Sequence, residues 1–171
     1  MKQPKPYDNY PCWIMLISNL VSLAIYIIGA VIISKLGLVW LVLYLLYIVW
    51  LEIRIMTHSC VNCYYYGKYC AFGKGKISSW FFKKGKKNGF TNRNITWKDI
   101  IPDFLVSIIP LIVGIILEIL NFSLWLLVLM VILFLLASVG TGFVRGSLAC
   151  RFCRQKELGC PAEKLFNKNQ K

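Results

Sequence analysis

The chain has 171 residues, 58% of them hydrophobic and only 16% charged, with a formal net charge of +13. That balance is too apolar for an ordinary soluble domain and too rich in aliphatic and aromatic residues for a disordered one. It defines an integral membrane protein.

Taken in chain order, apolar runs fall at 13–33, 36–55, 104–120 and 122–144, each about long enough to cross a hydrocarbon core of roughly 30 Å at about 1.5 Å per helical residue. They read as helices, because in lipid every backbone polar group must be satisfied within its own span. The first run follows Lys2 and Lys5 as a signal peptide would. It lacks a small-residue cleavage site and enters the second run at once through Ser34-Lys35-Leu36-Gly37, so it is read as a retained span. In the third, Pro102 is expected to start the span and Pro110 to kink it. Upstream, Thr96 with Asp99 three residues on predicts a cap opening an interfacial helix. Glu118, at the far end, is expected to be solvated.

Charge sets the orientation. Only Lys35 stands in the first hairpin turn, and no Lys or Arg in the second, whereas nine cations lie between Lys68 and Lys98 and seven between Arg145 and Lys171. By the positive-inside rule both termini and the 57–100 loop are expected in the cytoplasm. The basic run 83–87 beside the aromatic stretch 77–82 suits anionic lipid headgroups, with Trp80 and Trp97 at interfacial depth. Nucleic acid is not an expected partner; a cytoplasmic protein recruited by the basic face is one alternative.

Two segments carry the chemistry. "CVNCYYYGKYC" places Cys60, Cys63 and Cys70 just after the second run, and "CRFCRQKELGC" places Cys150, Cys153 and Cys160 after the fourth, with the same spacing at a displacement of 90 residues. Further matches fall at a displacement of 91: Asp8 with Asp99, Pro11 with Pro102, Trp13 with Phe104 and Arg54 with Arg145. The chain therefore reads as an internal duplication, residues 1–97 and 98–171, in one membrane domain. The expected fold is an all-α integral membrane protein of four transmembrane helices, two parallel-repeat hairpins each followed by a cytoplasmic Cys-x2-Cys-x6-Cys segment.

Thiols held in the cytoplasm stay reduced, which favours metal over structural disulfides. Cys-x2-Cys lets two sulfurs converge on one ion from a single turn. The six triad cysteines are thus candidate ligands for zinc, copper(I) or an iron–sulfur cluster, zinc and iron–sulfur being preferred. "CRFCR" is similar to a zinc knuckle. Cys160-Pro161 matches the Cys-Pro ending of ferredoxin-type motifs, whose Cys-x2-Cys-x2-Cys-x3-Cys run is absent here. Two ligand sets stay open: one shared site of Cys60, Cys63, Cys150 and Cys153, or two centres completed by Cys12 and by Asp103, with His58 as a rival in the first. Lys68, Lys74, Arg151, Arg154 and Lys156 are expected to offset thiolate charge, and Arg54, with its repeat mate Arg145, to snorkel or to neutralise a thiolate centre from the inner end of its span. In architecture alone the chain resembles the bacterial thiol oxidases that pass electrons from disulfides to quinone, which would imply a membrane thiol-disulfide oxidoreductase. Those enzymes keep their reactive cysteines on the oxidising side, opposite to the side expected here.

Overall fold

The computed structural model describes residues 5–85, 90 and 96–160. Among these the regular structure is helical, with one isolated bridge pairing Tyr7 to Cys153. The helices are α1 (Cys12–Ser34), α2 (Leu38–His58), α3 (Lys74–Phe81), α4 (Trp97–Leu120) and α5 (Leu124–Leu135). Four stretches are long and apolar enough to cross a membrane: Cys12–Ser34, Leu38–Asn62, Lys98–Leu120 and Leu124–Phe152. No more than 28% of the most apolar window of any of them is buried inside the protein. The outer faces carry Trp40, Leu43, Trp50, Ile119, Phe122 and Phe134, a surface that suits hydrocarbon and not water.

Hydrogen bonds fix the helix directions. The Tyr44 hydroxyl donates to the Val106 carbonyl and the Tyr47 hydroxyl to the Pro102 carbonyl, both at 2.8 Å. Advancing along α2 therefore means retreating along α4, and the two run antiparallel. Gly29 of α1 meets Pro110 and Ile32 meets Gly114, so α1 and α4 run in the same direction. Ile25, Ile32, Tyr44, Leu51, Val106 and Leu133 fill the core between them.

Lipid gives apolar side chains little reason to leave it, so helices in a membrane associate through close packing and interhelical hydrogen bonds. The contact of α1, α2 and α4 shows both. Pro110 has no N–H, which leaves the Val106 carbonyl, four residues earlier, without its helical donor. Tyr44 supplies that donor from α2. Gly29 makes the approach possible, because a Cβ there would overlap the Tyr44 hydroxyl and press on Pro110.

The third span departs from expectation. The helix expected at the interface is continuous with it: α4 begins at Trp97 with both prolines inside it, opened by the expected Thr96–Asp99 capping box. Pro102 orphans only the Lys98 carbonyl in the first turn, and Tyr44 repairs the deficit left by Pro110, so neither ring ends the helix. Glu118, expected to be solvated, is half-buried at the turn between α4 and α5, where its carboxylate accepts the Ser123 N–H at 3.1 Å. The fourth span outlasts its expected end at 144. Beyond α5 it continues through two widened, π-type stretches, Leu136–Gly140 and Val144–Ala149. Ser138 and Thr141 return their hydroxyls to the carbonyls of Phe134 and Leu136, back-bonding of the kind that loosens a helical turn. This extension delivers Cys150 at the end of the span itself.

One end of the bundle gathers the chain's polar segments. Tyr10 donates its N–H to the Tyr69 carbonyl at 2.9 Å and its hydroxyl to the Ala149 carbonyl at 2.5 Å, while the Tyr7 N–H reaches the Phe152 carbonyl at 3.0 Å. The start of α1, the first cysteine segment and the end of the fourth span therefore meet.

Candidate metal centre

Each Cys-x2-Cys unit folds as the same 3-10 turn. Cys60–Asn62 and Cys150–Phe152 form the turns, closed by the Cys63 N–H to the Cys60 carbonyl and the Cys153 N–H to the Cys150 carbonyl, each at 3.3 Å. Both turns are entered in right-handed helical conformation and left through a cysteine in extended conformation. That exit turns the following amides back towards the sulfur. The backbone of Tyr65 partly offsets the effect of burial on the Cys63 thiol, and the backbone of Gln155 and Lys156 does the same for Cys153. In the first segment the Gly75 N–H also donates to the Cys70 sulfur at 3.4 Å. Amides aimed at sulfur stabilise thiolate, the form that ligates a metal.

The two turns are joined by a reciprocal pair of hydrogen bonds. The Tyr64 N–H, one residue past Cys63, donates to the Gln155 side chain at 2.8 Å. The Arg154 N–H, one residue past Cys153, donates to the Tyr65 hydroxyl at 3.0 Å. Tyr64 and Arg154, like Tyr65 and Gln155, stand 90 residues apart in the sequence, so each turn does to the other what is done to it. Tyr65 and Gln155 are both buried. The Tyr65 hydroxyl donates in turn to the Tyr7 carbonyl at 2.6 Å, and the rings of Tyr10 and Tyr65 pack edge to face at 5.5 Å. Cys63, Cys70 and Cys153 all lie against this aromatic cluster.

All seven cysteines are free thiols. Burial pushes the Cys63 thiol up to about 12 and the Cys153 thiol up to about 11. Cys63 lies within electrostatic reach of Cys153, Cys70 and Cys160, and Cys60 within reach of Cys70 and Cys63. Among the described residues, no three His, Cys, Asp or Glu side chains converge as a closed metal shell would require. The donor chemistry nonetheless suits a thiophilic metal: two paired turns of free thiols, with the Gly75 N–H on the Cys70 sulfur.

The other expected residues lie elsewhere. Cys12 is exposed in the first turn of α1, beside a groove of about 370 Å³ shared with Met15, Asn19, Lys76 and Trp80. His58 is exposed at the end of α2, its carbonyl accepting the Asn62 side-chain N–H at 3.3 Å. Asp103 is half-buried within reach of Arg145, Arg54, Lys74 and Glu52. Arg54 pairs with Asp99 at 3.5 Å. Sequence reasoning set Lys74 beside the thiolates but missed its partner: Lys74 binds Glu52 at 2.6 Å, while Tyr26 donates to the same carboxylate at 2.7 Å. Trp80 is exposed on α3. The Trp97 side chain, residues 86–89 of the basic segment and the tail 161–171 lie outside the described residues.

No protein-family model, curated protein or solved structure matches the chain.

Proposed function

We propose that this chain is a membrane metalloprotein in which two copies of one hairpin unit hold a thiolate-bound metal, zinc or an iron–sulfur cluster, at the cytoplasmic face. One observation carries the reading: the reciprocal hydrogen bonds that join two like Cys-x2-Cys turns, each closed as a 3-10 turn. The cation bias supports the cytoplasmic placement, and the repeated spacing supports the duplication. The bilayer with its anionic headgroups is the standing partner.

The best role for such a centre is a resident lock between the hairpins. Cys63 and Cys153 are half-buried under aromatic rings, and enclosed thiolate sites of this kind serve structure more often than passage of metal. Electron transfer is the second reading, should the metal be an iron–sulfur cluster. Thiol-disulfide exchange is less well supported. The cation bias favours a cytoplasmic placement, where thiols are kept reduced and exchange has no standing oxidant.

Purification under strictly anaerobic, reducing conditions, followed by metal analysis and a visible spectrum, tests this. Colourless protein with stoichiometric zinc supports the lock, and a brown iron-bearing protein supports electron transfer. Metal-free protein that forms reversible disulfides overturns the metal reading in favour of exchange.

A further inference from the structure

The groove between the start of α1 and helix α3 has no task in the metal reading. Met15 and Leu16 of α1 and Ile77 and Trp80 of α3 form its apolar walls, and Asn19 and Lys76 bring an amide and an ammonium to it. It is held from both sides. The Asn19 side-chain N–H groups donate to the Met15 carbonyl at 2.8 Å and to the Phe72 carbonyl at 3.3 Å, tying the entry of α3 to α1. Lys74, in the first turn of α3, is bound to Glu52 of α2. Gly73 turns the chain into the helix in left-handed conformation, at a φ of 69°, which a side chain would strain.

Charge and shape define what the groove takes. No carboxylate is among its lining residues, and among the described residues none pairs with half-buried Lys76, so the groove favours an anion. Ile77, Trp80 and Phe81 are all exposed, the i, i+3, i+4 face that lays a helix in the plane of a bilayer surface. From the groove an exposed stripe of α1 runs on through Leu16, Leu20, Leu23 and Ile27. At about 1.5 Å per residue the stripe is about 16 Å long, the depth of one leaflet in a hydrocarbon core of roughly 30 Å. A free phosphate has no use for it; an acyl chain does.

We infer that the α1–α3 groove is a binding site for one anionic phospholipid, its phosphate on the Lys76 ammonium and one acyl chain along the stripe from Leu16 to Ile27. This gives the bilayer contact proposed above a defined place, and it rests on the membrane placement and not on the metal.

Full-length protein in a neutral detergent is offered equal amounts of phosphatidylglycerol and phosphatidylcholine with the same dioleoyl chains, and the lipid retained per chain is counted by native mass spectrometry. One phosphatidylglycerol should be kept in preference to phosphatidylcholine. Lys76→Gln should lower that retention about fivefold, the effect of one cation near a bilayer surface, and Lys76→Arg should preserve it. Changing Lys83 and Lys84 to Gln, beyond the groove, should leave the retained lipid in place, and excess glycerol 3-phosphate should not displace it. Equal retention of the two lipids overturns the site, and needs no variant to read. Full retention by folded Lys76→Gln protein also overturns it, and an equal loss from the Lys83 and Lys84 changes would mean diffuse attraction to the basic segment instead. Displacement by glycerol 3-phosphate would make the ligand a soluble phosphoester. Each of these results leaves the metalloprotein reading standing, whereas a chain that stays monodisperse without detergent removes the membrane placement and this site together.

Discussion

At the scale of single residues, the structure turns on polar atoms that have one available partner. Tyr44 is the donor that Pro110 denies to Val106, and Gly29 leaves the space for it. Tyr44→Phe should lower stability in a detergent unfolding titration by about 1 kcal/mol, the scale of interhelical hydrogen bonds in membranes. Gly29→Ala should cost more, by expelling the ring, and the double variant should lose less than the sum because both changes break one contact. Strict additivity would separate Gly29 from Tyr44. The thiols carry a pH signature. An ordinary cysteine ionises near 9.0, whereas burial keeps Cys63 protonated up to about 12 and Cys153 up to about 11. Between those values the folded, metal-free chain holds more protons than the unfolded one, so its stability falls as pH rises from 9.0 towards 11. Metal binding runs the other way. Each ligating thiol releases a proton, so these two alone should raise apparent zinc affinity at least about a hundredfold per pH unit near neutrality. Calorimetry in buffers of different ionisation enthalpy reads the protons released, and an affinity independent of pH would contradict the account.

At the scale of elements, the four spans were legible because apolar runs bounded by cations have one stable form in a bilayer. Their ends were less so. Pro102 and Pro110 look like a helix start and a kink in sequence, and the tyrosine that repairs Pro110 lies 66 positions away in another helix. The widened turns that carry the fourth span to Cys150 depend on hydroxyl back-bonding, which spacing does not reveal. The spacing marked out the two Cys-x2-Cys turns, which the structure brings together. The bonds that join them were hidden, since Tyr65 and Gln155 are repeat mates of different chemistry doing one job. Helix α3 is a further example. Lys74 ties its first turn to Glu52 of α2, and Gly75 lies so close to the Tyr65 carbonyl that a Cβ would collide with it. That turn also gives Cys70 its amide. Glu52→Gln should therefore loosen the Cys70 segment and lower zinc affinity by about tenfold, as supporting contacts around metal sites commonly do. Reversing the pair, Glu52→Lys with Lys74→Glu, should restore part of the loss; a reversed pair no better than the single variant would remove α3 from the account.

At the scale of the whole molecule, parallel helices α1 and α4 form the centre, and α2 and the fourth span return the chain to the end where it began. Both cysteine segments then lie at one end of the helix bundle. A reporter fused after Lys171 and one inserted near Gly85 should both register as cytoplasmic, and an impermeant thiol reagent on intact cells should leave the triads unmodified. An extracellular signal from either reporter would reverse the orientation and remove the reason for expecting reduced thiols. The central claim is that two separate triads hold metal jointly. Metal bound per chain in Cys153→Ser, purified anaerobically beside the wild type, tests it most directly. The account predicts that this one change empties the site, including the ligands of the first repeat. Retention of half the wild-type metal would mean two independent centres, and retention of all of it would mean that the cysteines serve something else.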